Sequence, residues 1–536
     1  MNLGLSGRLT RATIKSPLTP LFLLAAIVFG IIALITIPRE EEPQISVPMV
    51  DIIVQANGLK APDAAELVTK PLEEIVKGIN GVEHVYSQTQ DDRVMVTARF
   101  FTGTSEDDAI LRVQARIRAN YDRIPAGIPE PLIQTRGIND VPSLVLTLSP
   151  KPGATGQWTD QALFELAGKL RTEVAKVDNV GLTFIVGGRP QEIRVEPDPA
   201  RLAQQGVSLG ALMDTIRQAN RAVPSGQVRN GGQAVDVTAG RTLANATQIG
   251  LLALPSIKGE SVYVRDVAQV IEGPREDQAR AWRYARAGQG WSEAPAVSLA
   301  IAKRKGANAV VVSQAVLARV EALKGSLLPD SLSVAVTRDY GATANEKANE
   351  LLFHLGLATL SIVILIGFAI GWREAGVTAV VIPTTILLTL FASNLLGYTI
   401  NRVSLFALIF SIGILVDDAI VMIENIARHW AMSDERSRVD AAVDAVAEVG
   451  NPTVVATLTV VTALLPMLFV SGLMGPYMAP IPVNASAAMV FSFFVAVVIA
   501  PWLMVRFARK TLGAGGAHHD EGKLGALYRK IATRVI

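Results

Sequence analysis

The chain has 536 residues, 50% of them hydrophobic, a mean hydropathy of +0.35 and a formal net charge of +2. That is too apolar for one water-soluble globule, and the long charge-free runs cluster at the N-terminus and after Leu351, so the class is a polytopic membrane protein with a large domain outside the bilayer. The charge balance points to no nucleic-acid partner, the absence of Cys excludes a disulfide framework or thiolate metal site, and no metal-ligand spacing, phosphate loop or Ser/His/Asp pattern supports a metal, a cofactor or catalysis.

In chain order, Leu18–Ile37 reads as the first membrane span. Arg8, Arg11 and Lys15 precede it and Glu40, Glu41 and Glu42 follow it, which places the N-terminus in the cytoplasm. No A-x-A-like cleavage site follows, so the run reads as a retained anchor. Next, Val50–Gln55 has strand alternation, and Pro62–Gly78 carries Ala64, Leu67, Val68, Leu72, Ile75 and Val76 on one helical face. His84–Gln90 and Val94–Phe101 form a strand pair turning at Asp91-Asp92-Arg93. A helix over Ser105–Tyr121, capped by Ser105, and a strand near Leu132–Gln134 complete a split βαβ unit.

A second unit of the same order is expected from a strand at Leu144–Leu148, a helix at Thr159–Val177 and strands at Leu182–Val186 and Glu192–Val195. Its last helix and strand are displaced to Asn308–Leu323 and Leu332–Val336. The insertion this leaves, 200–275, holds a helix at Leu209–Ala219, a hairpin candidate at Arg229–Gly232 and a short strand at Val262–Val264. Lys303 and Arg304 read as solvated.

Five more apolar runs follow, near 351–371, 376–396, 403–426, 453–471 and 483–505, for six spans in all. Arg373, Arg428, Arg436, Arg438, Arg506, Arg509 and Lys510 fall on the expected cytoplasmic side. Residues 434–449 and 523–536 read as cytoplasmic surface helices, and Pro466 as a kink in span five. His354 reads as interfacial.

Asp417 and Asp418 stand side by side in span four. Carboxylates at mid-bilayer cost roughly 2.5–3.5 kcal/mol each on insertion scales, so the pair costs about 5–7. Adjacent helical residues point about 100° apart. Asp417 therefore shares a face with Gly413, Val421 and Glu424, and Asp418 with Ser411, Ile414, Met422 and Asn425. Both aspartates can face a bundle interior if neighbouring spans pack on two sides. Two carboxylates about 5 Å apart at an effective dielectric near 20 repel by roughly 3 kcal/mol. Such a pair suits proton loading and release. Glu424 and Asn425, one to two turns on, are candidates for relay support, with packing as the alternative.

The motif Gly413-Ile-Leu-Val-Asp417-Asp418-Ala-Ile-Val-Met-Ile-Glu424-Asn425 resembles that of the resistance-nodulation-division (RND) transporters, hydrophobe/amphiphile efflux branch. So do Leu465-Pro466-Met467, Gly187-Gly188-Arg189 running on to Pro224-Ser-Gly226, and Val264-Arg-Asp266-Val267-Ala268. Members of that family have two homologous halves, and this chain resembles the first. The expectation is a fragment, or a half-transporter that must pair with a second half.

The resemblance implies an α-helical membrane domain of six spans with an α+β periplasmic domain of ferredoxin-like porter subdomains. The expected division is 1–37 for the first span, 38–141 for porter subdomain 1, and 142–199 with 276–349 for porter subdomain 2. It continues with 200–275 for an inserted docking subdomain, 350–505 for spans two to six and 506–536 for a linker helix. It further implies a homotrimer of the bacterial inner membrane that exchanges protons for amphiphilic small molecules. A periplasmic adaptor protein and an outer-membrane channel would be partners. The family supplies a Lys to the Asp pair from the second half, and no Lys or Arg lies within the six apolar runs here. The family's drug pocket is rich in Phe, and Phe184 is the one Phe on the matching inner strands. The metal-exporting branch would want clustered methionines, whereas Met49, Met95 and Met213 are far apart. A proton-driven protein-secretion factor of related plan is the other alternative.

Overall fold

The protein is described from a computed structural model covering residues 3–508 apart from 44, 46, 138–139, 231–232, 241, 256–260, 277–279, 288–289 and 433–435. The second expected surface helix, 523–536, lies outside these residues. The chain forms two compact units. One comprises the described residues up to Ser143, Lys303–Gln314 and those from Asp339 on; the other comprises Leu144–Ala302 and Ala315–Arg338.

The first unit opens with α1 (Gly4–Thr13) and α2 (Leu18–Thr36). α1 was not foreseen; it exposes Arg8 and Arg11 and buries Ser6, Gly7 and Thr10. β1 (Met49–Gln55) then leads to α3 (Ala61–Ala64), a π turn (Ala65–Thr69) and α4 (Lys70–Lys77), a continuous rod where one helix was expected. β2 (Val82–Gln90) and β3 (Arg93–Phe100) form a hairpin whose turn residue Asp92 has φ +63°. α5 (Glu106–Arg118) and β4 (Leu132–Arg136) complete the order βαββαβ. The four strands make one antiparallel sheet, β2-β3-β1-β4, with Ile52 opposite both Val96 and Ile133. Strand period two puts Val50, Ile52, Val54, Val94, Val96 and Phe100 on one fully buried face under Leu72, Val76 and Val113.

The second unit runs β5 (Leu144–Pro150), α6 (Asp160–Val174), β6 (Val180–Val186), β7 (Gln191–Pro197), α7 (Pro199–Gln205), α8 (Leu209–Ala219), β8 (Val223–Asn230) and β9 (Gln233–Ala239). It continues with α9 (Ala246–Gly250), β10 (Ala253–Leu254), β11 (Val262–Tyr263), α10 (Val264–Val267), β12 (Ala268–Pro274), β13 (Ala281–Ala287), β14 (Gly290–Lys303), α11 (Ala309–Ala322) and β15 (Leu332–Asp339), of which Lys303, the part of α11 up to Gln314, and Asp339 belong to the first unit. The sheet order is β13-β14-β5-β15, with β6 on β14.

This corrects several expectations. The strand after β6 does not return to that sheet: β7 pairs antiparallel with β12, Val195 opposite Val270. The third sheet strand is β14, joined by β13, neither of which was foreseen. The inserted segment therefore begins directly after β6, and Val264, expected in a strand, instead opens α10. The departure point is Gly187-Gly188. Gly188 has φ +74°, and a Cβ there would stand 2.8 Å from Val297 Cγ2 and 3.0 Å from Phe164 Cβ, so the chain can leave β6 only over glycine.

The first unit resumes with α12 (Tyr340–Ala369), α13 (Trp372–Leu395), α14 (Arg402–Ala431), α15 (Arg438–Leu464), α16 (Met474–Met478), α17 (Pro480–Phe494) and α18 (Ala500–Phe507). A second π turn, Val495–Ile499, joins α17 to α18. Among the described residues, six helical stretches are long and apolar enough to cross a membrane. Pro466 lies within the fifth membrane-length stretch, Arg438–Phe469, where α15 stops at Leu464 and residues Leu465–Phe469 tighten into a 3-10 turn. The segment 438–449 is not a separate surface helix. It is the first part of α15, and Ala441, Ala442, Val443, Ala445 and Val446 are buried with Met422, Ile426 and Leu503.

Candidate functional site

α14 has thirty residues and spans about 45 Å at 1.5 Å per residue. Asn401 starts it: its side chain accepts from the amides of Val403 and Ser404, and the Ser404 hydroxyl accepts from the Asn401 amide. Asp417 and Asp418 fall at the middle of the helix. The faces diverge as the 100° step requires. Ser411, Met422 and Asn425 are buried on the Asp418 side, while Gly413, Asp417 and Glu424 are exposed in line with Phe406 and Phe410.

α17 packs along the Asp418 side. Ser492 of α17, itself buried, hydrogen-bonds the half-buried Asp418 carboxyl. The other oxygen, Oδ2, is buried and has no hydrogen-bond partner among the described residues. Spans therefore enclose one aspartate of the pair, and the first unit leaves Asp417 uncovered. Ser492 is one of two hydroxyls, with Ser486, in the charge-free run 483–505; it stands among Phe491, Phe493 and Phe494, and that was the signal that could have flagged it.

The other candidates part company. Asn425 Nδ2 donates to the Ala445 carbonyl (2.8 Å) and its Oδ1 accepts from Arg428 Nε (2.9 Å). Arg428 and His429 both hold Glu448, at 2.8 and 2.6 Å. Together these bonds clamp the end of α14 to α15, so the Asn425 amide is committed to packing. Glu424 is exposed, as is His354 on α12; Phe184 is half-buried on β6 in the other unit. Among the described residues no cluster of three His, Asp or Glu stands close enough to hold a metal ion.

Lys303 overturns its reading as solvated, whereas Arg304 is exposed. Lys303 Nζ donates to Glu40 Oε1 at 2.8 Å, with side-chain exposures of 8% and 4%. The Thr399 hydroxyl donates to Glu40 Oε2 at 3.3 Å, and the Glu40 amide donates to the Ile400 carbonyl at 2.9 Å. Arg402, the first residue of α14, pairs with Glu42. The segment after α2 is thus strapped to the start of the aspartate-bearing helix.

Among the described residues, six membrane-length helices, one with a carboxylate pair at its centre, together with α/β structure, fit a polytopic membrane transporter. The chain belongs to the AcrB/AcrD/AcrF family of RND efflux transporters, whose family model matches residues 9–520. It is 30% identical to the multidrug resistance protein MdtC of Pantoea ananatis (strain AJ13355) over 487 residues, 90% of this chain and 46% of that protein. To MdtC of Serratia proteamaculans (strain 568) it is 28% identical over 494 residues, 92% and 47% respectively. The chain spans about half the length of the curated relatives it matches. The family is one of membrane transporters, not enzymes.

Proposed function

We propose that this chain forms the first half of a proton-driven exporter of amphiphilic compounds, with Asp417 and Asp418 as its proton carriers. The observation that carries the reading is Asp418 itself: mid-helix, half-buried, with one oxygen hydrogen-bonded to Ser492 and Oδ2 enclosed without a donor. A buried acceptor without a partner costs about 1–3 kcal/mol. A proton on the carboxyl removes the charge from this half-buried site, and its release restores the carboxylate to which the Ser492 hydroxyl donates. Such a site has two states of opposite electrostatic demand, as a carrier requires. Asp417, facing outward from α14, is the group that a cationic side chain from a second half would reach.

The sheets support the porter reading. β2-β3-β1-β4 and β6-β14-β5-β15 share one strand order, that of a split βαβ unit, and the segment 187–280 is inserted between strands of the second. We assign the first to porter subdomain 1, the second to porter subdomain 2 and the inserted segment to docking. On this reading the assembly is a trimer in the bacterial inner membrane, with the sheets in the periplasm meeting an adaptor and an outer-membrane channel. The cargo class follows the relatives' description as multidrug resistance proteins.

The test uses the complete transporter containing this chain, with Asp417→Asn or Asp418→Asn. Each substitution keeps the side-chain shape and removes the titrating group. Export driven by an imposed pH gradient in proteoliposomes should fall to the background of empty vesicles in both variants. Proton-dependent export retained by both overturns the assignment.

A further inference from the structure

The last span changes helical register at a defined point. α17 ends at Phe494, the Ala500 amide closes the π turn onto the Val495 carbonyl, and α18 resumes with Pro501 at its second position. In an unbroken α-helix the amide of residue 501 would serve the Val497 carbonyl; proline has none to give. Val497 is fully buried, so that carbonyl has no water to turn to.

The missing donor comes from the other end of the chain. Thr10 Oγ1, fully buried on α1, lies 2.8 Å from the Val497 carbonyl oxygen. The same hydroxyl is 3.0 Å from the Ser6 carbonyl, but it has one hydrogen, and the helical ladder of α1 already supplies Ser6 with the Thr10 amide. The approach is built for closeness: a Cβ at Gly7 would stand 2.8 Å from Ala447 Cβ, and one at Gly450 would stand 2.6 Å from Ser6 Cβ.

The consequence for the aspartate lies in register. Ser492 precedes the π turn by three residues, and α17, the π turn and α18 all pack on α14. A π turn adds one residue to a helical turn, so relaxing it to α rotates α17 against α18 by about 100°. With α18 held in place, that rotation takes Ser492 away from Asp418. We infer that Thr10 is a positioning residue: by supplying the donor that Pro501 lacks, the N-terminal helix holds the π turn that sets Ser492 on Asp418. The link to proton handling rests on the reading of Asp418 as a carrier; the hydrogen-bond latch does not. Asp417 is the adjoining titratable group. α17 and the π turn have none; the other elements packed on α14 carry Arg373 and Glu374 at the start of α13, Arg506 near the end of α18, Arg438, Asp440, Asp444 and Glu448 in the first half of α15, and Glu346, Lys347, Glu350 and His354 in the first half of α12.

The experiment uses the chain in lipid nanodiscs and four variants: Thr10→Val, Thr10→Ser, Pro501→Ala and Thr10→Val with Pro501→Ala. Two quantities are read: amide hydrogen exchange over 495–502, and the pH midpoint of the Asp418 carboxyl infrared band, assigned by its loss in Asp418→Asn. Thr10→Val should speed exchange about tenfold or more and move the midpoint by about half a pH unit or more. Thr10→Ser, which keeps the donor, should do neither. With Pro501→Ala restoring an amide, Thr10→Val should add nothing.

An equal effect of Thr10→Val in both backgrounds overturns the donor role. Faster exchange with an unmoved midpoint overturns the positioning role. If Thr10→Val does not fold, rescue by Pro501→Ala supports the latch and failure of rescue overturns it. An Asp418 band that does not titrate in the wild type overturns the carrier reading, and the positioning role with it, while the exchange arm still decides the latch.

Discussion

Replacing Lys303 by Met keeps most of the side-chain volume and removes its charge, leaving Glu40 without its ion-pair partner where its own side chain is 4% exposed. Its remaining side-chain partner is the Thr399 hydroxyl at 3.3 Å, a weak bond. Removing one member of a buried pair costs about 3–5 kcal/mol, because the other charge stays desolvated and uncompensated, whereas removing both with apolar groups of similar size is near neutral. Lys303→Met is therefore expected to lose about 3–5 kcal/mol, and Glu40→Leu with Lys303→Met to recover most of that loss. The assay is SDS-driven unfolding in mixed micelles, followed by the fluorescence of the six Trp residues. The reasoning is refuted if Lys303→Met costs under about 1 kcal/mol, or if the double variant is no better than the single.

Two further outcomes follow from packing and charge. Gly450→Val places a Cβ 2.6 Å from Ser6 Cβ and should cost about 1–3 kcal/mol in the same assay. Gly356→Ala, with open space around it, should be neutral or stabilising; equal costs at the two sites would contradict the close α1–α15 crossing. Bonds from Lys176 and Arg319 hold the Glu173 carboxyl below its ordinary 4.5. Its contribution is thus fully present above pH 4.5 and is lost as pH falls through the lower folded value. Arg319→Met should flatten the pH dependence of amide exchange in α6 below pH 4.5, and an unchanged profile counts against the pairing.

The six spans and the aspartate pair were legible because their signals are local. A run of apolar side chains long enough to cross a bilayer is a property of consecutive residues, and two adjacent carboxylates inside one stand out against it. The β2–β3 hairpin and the α5 and α6 helices were likewise carried by short-range periodicity and turn residues. Strands β13 and β14 escaped because Trp282, Arg283, Tyr284 and Glu293 lack the clean apolar alternation of a half-buried strand. The α15 face of Ala441, Ala442 and Ala445 reads the same whether it meets solvent or a close helix.

Sequence alone therefore determined which segments enter the membrane, where the charge that must be handled there sits, and which family's pattern the chain follows. Tertiary structure decided that Asp418 meets Ser492 while Asp417 stays uncovered, that β7 leaves its expected sheet for β12, and that Lys303 is buried against Glu40. It also placed Thr10 on the carbonyl that Pro501 leaves without a donor. The physical reason is range. Hydrophobic periodicity and helix capping act over a few residues, whereas a buried hydrogen bond or ion pair needs a partner that folding brings from far along the chain, 263 residues for Lys303 and 487 for Thr10.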